Sequence, residues 1–190
     1  MRTLAITQDV TLDGRVEMLG DWFDDQELGH ADDADMMEEN RRQDAAADAL
    51  LVGRRTFEDF RGYWRDLEGD TTGISDYLNG VRKHVVSSTL EDPDWDGTTV
   101  LRPAGPDDLV VQVQRLEETD GKDVVCTGSI TLCHALVAAD LVDEYRLSTY
   151  PVVQGSGRRL FPDGYATSGL RLAGSTAFRS GIGYQRWVRR

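Results

Sequence analysis

The sequence has few of the residues on which metal sites and disulfide frameworks depend. Its 190 residues include two cysteines, Cys126 and Cys133, and three scattered histidines. Two closely spaced cysteines cannot form a disulfide framework, and the histidines form no paired ligand motif, so we expect no metal centre. Lysine is also scarce, with two residues against nineteen arginines.

Basic residues are fewer than acidic residues. The chain carries 34 Asp and Glu against 21 Lys and Arg, for a formal net charge of -13. Because phosphate affinity over a whole surface comes from clustered Lys and Arg, this balance argues against nucleic acid as a partner. The Asp-rich, Lys-poor composition fits either a salt-adapted surface or a GC-rich genome, and the sequence leaves both open.

Long apolar runs are missing as well. No stretch approaches the roughly 18 apolar residues of a membrane span, so we expect no membrane segment. Residues 1–9 lack the apolar core of a signal peptide, which predicts a cytoplasmic protein. The composition, 39% hydrophobic, suffices for a packed core, and the length suits one domain over residues 1–190.

Strand-like and helix-like segments alternate along the chain. The pattern predicts strands at 3–11, 49–52, 83–87, 98–101, 123–126 and 144–150, and helices at 32–48, 56–64, 75–81, 107–118 and 130–139. The tail, 170–178 and 184–188 around a Gly-rich turn, indicates an antiparallel hairpin. We therefore predict an α/β fold with a mixed sheet, parallel at its centre and antiparallel at its C-terminal edge.

The strongest local signal is the segment Gly53-Arg54-Arg55-Thr56, where a short apolar strand meets a glycine and a helix begins. The first turn of a helix offers free N–H groups and the positive end of its dipole, and two arginines stand at the same place. The Thr56 hydroxyl is a further donor for a phosphate oxygen. The pattern fits an anion site and, equally, an ordinary helix start with incidental arginines.

Three weaker signals also follow strands. Gly128 and Ser129 come after an apolar strand, with Ser129 as a predicted helix N-cap. Ser87 and Ser88 stand at the end of another strand, where they suit either a ligand or a turn. The last signal is the loop Gly155-Ser156-Gly157, which is followed by Arg158 and Arg159.

In this order and spacing, the segments resemble the dihydrofolate reductase-like family over nearly the whole chain. The opening strand with its Asp13-Gly14 turn, the Gly-Arg-x-Thr motif at residues 53–56 and the Gly128-Ser129 turn carry the resemblance. Residues 141–144 and the Gly155-Ser156-Gly157 loop look more like the riboflavin-biosynthesis reductase branch, which is RibD C-terminal-like. The resemblance implies a mostly parallel mixed sheet with an antiparallel C-terminal hairpin and helices on both faces.

The resemblance also implies a site for NADPH. It gives Arg54, Ser87 and Ser88 the adenosine 2′-phosphate, and it gives Thr56 and the Gly128-Ser129 turn the pyrophosphate. The remaining cofactor-binding residues that it implies are Asp13, Val16, Gly53, Arg55 and Ile130.

On the substrate side, the resemblance implies a carboxylate in the helix before the second strand. Asp33 is the first candidate for this catalytic role and Asp35 the second, with Met37 one turn on as an apolar wall. Acids at a helix N-terminus also serve as caps, so the alternative stays open. Trp22 is a candidate substrate-binding residue in a lid over the nicotinamide, with a hydrophobic plug on the sheet as the alternative. Arg158 and Arg159 are candidates for holding a substrate phosphate.

These features predict an NADPH-dependent reductase that transfers a hydride to a small pterin-, pyrimidine- or carbonyl-type substrate. One alternative is the riboflavin-pathway 5-amino-6-(5-phosphoribosylamino)uracil reductase itself. Another is a non-catalytic nucleotide-binding protein that kept the cofactor cleft. The C-terminal edge strand favours a homodimer.

Overall fold

The structure is a computed structural model that describes residues 1–20 and 33–190. Within these ranges, strands and helices alternate as the sequence predicts. The elements are β1 (Leu4–Thr11), α1 (Ala34–Ala46), β2 (Ala47–Gly53), α2 (Arg54–Trp64), α3 (Ile74–Gly80), β3 (Arg82–Val86), β4 (Thr98–Leu101), α4 (Pro106–Glu117), β5 (Asp123–Thr127), α5 (Ile130–Ala138), β6 (Glu144–Tyr150), β7 (Leu170–Ala177) and β8 (Gly183–Arg189).

The described strands form one sheet in the order β4-β3-β2-β5-β1-β6-β8-β7. Strands β4, β3, β2, β5, β1 and β6 are mutually parallel. Strand β8 runs antiparallel to both β6 and β7. The predicted mixed sheet, with a parallel centre and an antiparallel C-terminal hairpin, is confirmed.

The two central strands, β5 and β1, lie side by side and are parallel, but the connections that follow them lead toward opposite edges of the sheet. From β1 the chain passes through α1 to β2 on one side, and from β5 it passes through α5 to β6 on the other. A crevice opens where neighbouring parallel strands diverge in this way, at their carboxyl ends. The topology therefore places a ligand crevice beyond the carboxyl ends of β1 and β5.

Helices cover both faces of the sheet, as predicted. On β2, Ala49 and Leu51 face the core under α4 and α5, whereas Leu50 and Val52 face the core under α2 and α3. This alternation along one strand follows from the two-residue period of β structure. Because both faces are buried, β2 is apolar without interruption, in the manner of parallel strands.

The predicted boundaries differ from those of the structure by no more than two residues. Most of the two-residue differences adjoin β2, which begins at Ala47 rather than 49 and is followed at once by α2 from Arg54. The alanine run at 45–47 spans the end of α1 and the start of β2. A short alanine run carries no β-branched or aromatic preference that would mark where the strand begins.

Candidate active site

A cavity of about 940 Å³ occupies the predicted crevice. Thr7, Gln8 and Asp9 of β1 and Val125 and Thr127 of β5 contribute to its lining. Two further sets of lining residues define what we call its turn wall and its helix wall. The turn wall consists of Gly53, Arg54, Arg55, Thr56, Gly128, Ser129, Ile130, Thr131 and Leu132, and the helix wall of Met36, Asn40, Gln43, Asp44, Asp59, Phe60, Trp64, Ile74, Tyr77 and Leu78.

The turn wall joins two strand-to-helix turns by a reciprocal pair of hydrogen bonds. The Gly53 backbone N–H donates to Ser129 Oγ at 2.9 Å, and the Ser129 backbone N–H donates to Thr56 Oγ1 at 2.9 Å. Each turn therefore supplies a side-chain acceptor for a backbone donor of the other. The starts of α2 and α5 are fixed side by side at the cavity.

The backbone of the second turn is strained and closely held. Gly128 has φ +59° and Ser129 has φ +36°, and a residue other than glycine rarely adopts such a value. The Ser129 carbonyl accepts the Cys133 N–H at 2.9 Å, and Gln8 Nε2 donates to the Gly128 carbonyl at 2.5 Å. Strain held by its surroundings in this way tends to occur at functional sites.

Two details of the turn wall differ from the sequence prediction. Ser129 precedes α5, but its side chain makes no cap hydrogen bond and binds β2 instead. The Thr56 hydroxyl, predicted as a donor to phosphate, accepts the Ser129 N–H through its oxygen, although its hydrogen stays free to donate. The close approach at Gly128 is made by Thr56 itself, since a Cβ at residue 128 would lie 2.8 Å from Thr56 Cγ2.

The turn wall is rich in donors suited to an anion. The first three N–H groups of α2 and of α5 have no acceptor within their own helices. Arg54 and Arg55 lie at the start of α2, where Arg54 forms an ion pair of 3.4 Å with Glu58 and stays 45% exposed. Helix starts, together with two guanidinium groups, suit the phosphates of a dinucleotide.

The structure brings most of the predicted cofactor residues together. Val16, Gly53, Arg54, Arg55, Thr56, Gly128, Ser129 and Ile130 all line the cavity. Asp13, Ser87 and Ser88 do not. Their roles toward a cofactor stay predictions.

Asp13 and Ser87 organise their own loops. Asp13 accepts hydrogen bonds from the Thr11 hydroxyl and from the N–H groups of Gln154 and Gly155, which hold the pKa of its carboxyl far below the usual range. Ser87 Oγ accepts the N–H groups of two residues that follow it, at 2.9 and 3.1 Å. These hydrogen bonds agree with the interpretation of Ser87 as a turn residue.

Of the two arginines predicted to hold a substrate phosphate, only Arg158 lines the cavity. Its Nε and backbone N–H bind the Glu17 carboxylate, each at 3.0 Å, and this pairing lowers the pKa of Glu17. The Arg159 carbonyl accepts a hydrogen bond of 2.8 Å from His134 Nε2, which ties its backbone to α5. Arg158 is thus partly neutralised within the chain.

The predicted substrate-side residues do not come together in the cavity. Asp33 precedes α1 without a side-chain cap bond, and Asp35 accepts the Arg179 N–H at 3.1 Å. Neither lines the cavity, and their catalytic roles stay predictions. The apolar lining residue of α1 is Met36 rather than the predicted Met37, and Trp22 lies outside the described residues.

Sequence reasoning missed the helix wall. Met36, Asn40 and Asp44 lie four residues apart on one face of α1, with Gln43 beside them. That spacing was available in the sequence, but the low apolar content of α1 gave no reason to prefer this face. Burial raises the pKa of the Asp44 carboxyl to about 6.

An eight-stranded mixed sheet with a turn pair suited to phosphates at its switch point defines an α/β protein of dihydrofolate reductase type. The profile of the RibD C-terminal domain matches residues 2–184. The chain belongs to this family of reductase domains.

Two known proteins are similar to this chain, one in sequence and one in fold. "Uncharacterized protein YyaP" of Bacillus subtilis (strain 168) is 28% identical over 187 residues, which cover 95% of this chain and 92% of that protein. A crystal structure named "Putative riboflavin biosynthesis protein", from Shewanella sp. PV-4, superposes with a TM-score of 0.66. The alignment covers 99% of both chains at 15% identity, so this likeness shows the fold alone.

Proposed function

We propose that the protein is an NADPH-dependent reductase that transfers a hydride to a small pterin-, pyrimidine- or carbonyl-type compound. Membership in a family of reductase domains supports the reaction class. The observation that carries the proposal is the convergence of two helix starts, α2 at Arg54 and α5 at Ile130, on one cavity. A dinucleotide has two linked phosphates, which suit two adjacent sets of N–H donors.

The residues present fit a nicotinamide dinucleotide. The turn wall offers backbone N–H groups of Arg54, Arg55 and Thr56 on one side and of Ile130 and Thr131 on the other. When bound, the cofactor supplies the hydride. The cross-turn hydrogen bonds keep the two donor sets in register, and the cavity orients a substrate against the cofactor ring.

Arg54 and Arg55 support a preference for the phosphorylated cofactor. Only NADPH carries a 2′-phosphate, which a guanidinium group can bind through two parallel hydrogen bonds. The net charge of -13 does not oppose this local contact, because screening limits the repulsion of distant charges to roughly 8 Å at physiological salt. The existing partner of Arg54 is the partly exposed carboxylate of Glu58, at 3.4 Å.

Titration with NADPH and NADH, followed by cofactor fluorescence, tests the proposal. We expect tighter binding of NADPH, and Arg54→Ala should weaken it by about 1.5–3 kcal/mol, the range for hydrogen bonds to charged groups. Binding of NADH should change much less. Arg159→Ala is the matched control, because Arg159 does not line the cavity. Equal dissociation constants of the wild type for both cofactors would refute the preference.

The riboflavin-pathway reductase is the second candidate, favoured by the family match. In that case Arg158, at the rim near Glu17, would hold the phosphate of the substrate. A survey of NADPH oxidation with pterins, pyrimidines and the phosphorylated pathway substrate distinguishes the two. Cofactor binding without turnover on any compound would instead support a non-catalytic nucleotide-binding protein.

A further inference from the structure

We propose that Cys126 and Cys133 form a redox pair that hydrogen peroxide converts into a disulfide, and that this disulfide disturbs the turn wall so that the cavity loses affinity for the cofactor. The proposal goes beyond the reductase activity, because it adds a modification site in the core behind the cavity. Disulfide formation is independent of the proposed function, whereas its effect on the cofactor rests on it.

The two cysteines lie in contact in the interior of the protein. Cys126 is near the end of β5, Cys133 is in the first turn of α5, and their Sγ atoms are 3.6 Å apart. Both are free thiols and are buried in the same core cluster. They are the two cysteines of the chain, so an intramolecular disulfide can join no other pair. A disulfide bond of about 2.05 Å needs only a short approach of the two sulfur atoms.

Cys133 has the surroundings of a reactive thiol rather than those of an inert core residue. Gln8 Nε2 donates to its Sγ at 3.4 Å, and the first turn of α5 lies at the positive end of the helix dipole. The hydrogen bonds from Cys126 and Gln8 hold the pKa of the Cys133 thiol below its ordinary value, whereas the bond with Cys133 and burial raise the pKa of Cys126. Cys133 is therefore the thiol that forms the nucleophilic thiolate more readily.

Cys133 lies directly behind the lining of the cavity. Gln8 and Gly128 both line the cavity, and Cys133 Sγ lies 3.4 Å from Gln8 Nε2 and 3.6 Å from the Gly128 carbonyl oxygen. The two preceding residues of α5, Thr131 and Leu132, line the cavity too. A molecule as small as hydrogen peroxide needs only a local opening of this layer to reach the thiol.

The oxidation balances with one molecule of peroxide. The Cys133 thiolate attacks one peroxide oxygen, the O–O bond breaks, and the departing hydroxide takes up the thiol proton to become water. The Cys126 sulfur then attacks the sulfur of the sulfenic acid, the S–O bond breaks, and a second water leaves with the Cys126 proton. The two thiols lose two electrons, and the peroxide is reduced to two molecules of water.

The disulfide would close a ring around the strained turn between β5 and α5. This turn, residues 127–129, contains two positions with positive φ. Oxidation removes the thiol hydrogen that Cys133 donates to the Gly128 carbonyl, and it draws the start of α5 toward β5. Because the surrounding core is closely packed, the movement falls on the turn and on its hydrogen bonds to Gly53 and Thr56.

Peroxide treatment of the wild type tests the proposal without any mutation. We expect both thiols of the treated, urea-unfolded protein to be blocked toward iodoacetamide, with the chain still migrating as a monomer in non-reducing electrophoresis. The affinity of the folded protein for NADPH should fall at least about tenfold, comparable to the loss of a hydrogen bond to a charged group. Dithiothreitol should restore the thiols and the affinity, which separates the disulfide from methionine sulfoxide.

Two results of this experiment would contradict the proposal. Thiols that stay reactive after treatment, or that form disulfides only between chains, would overturn the redox pair. A disulfide form that binds NADPH as tightly as the reduced protein would overturn the effect on the turn wall.

Single variants assign the roles of the two thiols. In Cys126→Ala, peroxide should stop at the sulfenic acid of Cys133, which dimedone traps and mass spectrometry detects. In Cys133→Ala, the matched control, Cys126 should stay reduced, because Gln8 donates to Cys133 and burial opposes ionisation of Cys126. Equal dimedone labelling of the two variants would overturn the assignment of Cys133 as the attacking thiol.

Failure of this inference and failure of the proposed function give different results. Amide hydrogen exchange at Gly53 and Ser129, whose N–H groups form the cross-turn hydrogen bonds, reports on the turn wall without any cofactor. We expect both amides to exchange faster in the disulfide form, and equal rates would overturn the effect on the turn wall. If exchange responds but the reduced protein does not bind NADPH, the cofactor proposal is wrong and the redox pair stands. If NADPH binds but no disulfide forms, the redox pair is wrong and the reductase proposal stands.

Discussion

The two walls of the cavity are built in different ways. The turn wall comes from two contiguous segments, 53–56 and 128–132, and it presents mainly backbone donors. The helix wall comes from α1, α2 and α3, and it presents side chains. A phosphate group is bound by what every helix start offers, whereas a substrate ring needs particular side chains at particular places. The part of the site suited to phosphate and the part suited to a substrate ring thus come from different segments of the chain.

The largest expected effect concerns the turn wall, at Gly128. A Cβ there would lie 2.8 Å from Thr56 Cγ2, whereas at Gly53 the nearest atom would be Ser129 Oγ at 3.8 Å. We expect Gly128→Ala to cost about 1–3 kcal/mol of backbone strain, with a similar cost from overpacking. Binding of NADPH should be lost as well, because Thr56 must move.

Gly53→Ala is the control for this prediction, because Gly53 has an ordinary φ of -81° and an added Cβ would make only ordinary van der Waals contact with Ser129. Its free energy of unfolding, measured with urea, should stay within about 1 kcal/mol of that of the wild type. If the two variants were equally stable, the turn would not depend on the close packing of Gly128 against Thr56.

The contrast between the walls also explains how much the sequence could predict. The strand-Gly-helix pattern at residues 51–57 is a local signal, because its turn, its helix start and its arginines are neighbours in the chain. The fold followed from the alternation of such segments. The hydrogen bonds of Ser129 were not predictable, because its partners, Gly53 and Thr56, are more than 70 residues away.

The helix wall lacked any such signal. Asp33 and Asp35 stand at a helix start, where acids attract attention, whereas Asp44 lies among alanines near the end of α1. Asp44 lines the same cavity as Tyr77 of α3 and Phe60 of α2 only because the fold brings these segments together. Convergence of distant segments is a property of tertiary structure, and a single sequence does not reveal it.

The next prediction tests the orientation of α1. Met36 and Met37 are both almost fully buried, but only Met36 lines the cavity. Truncation of either residue to alanine should cost about 2–5 kcal/mol of stability, the range for buried methionine. Only Met36→Ala should also change the KM of whichever compound the survey of NADPH oxidation shows to be reduced. If Met37→Ala changed that KM and Met36→Ala did not, the face of α1 assigned to the helix wall would be wrong.

A smaller effect is expected when the turn wall loses one cross-turn bond. Thr56→Val preserves the shape of the side chain but leaves the Ser129 N–H without its acceptor, which should cost about 1–3 kcal/mol. Thr176→Val on the exposed face of β7 is the control and should be nearly neutral. Urea unfolding measures both. Equal stabilities would show that water replaces the Thr56 oxygen at the turn.

The smallest effect separates Asp44 from another carboxyl with a raised pKa. Burial and the nearby Asp143 carboxylate raise the pKa of Glu117, at the end of α4, to about 7, but Glu117 does not line the cavity. Both groups bind protons more tightly in the folded state, so their contribution to stability is present below pH ~4 and is lost as the pH rises through 6 for Asp44 and 7 for Glu117.

Replacement by the amides should remove these losses. At pH 8 we expect Glu117→Gln to raise the free energy of unfolding by about 1–2 kcal/mol and Asp44→Asn by about 1 kcal/mol, below the full value of a pKa shift because solvent screens both groups in part. Urea unfolding measures both gains, and both should vanish at pH ~4, where the two carboxyl groups are protonated in the folded protein. If the gains persisted at pH ~4, the raised pKa values of Asp44 and Glu117 would not be their cause.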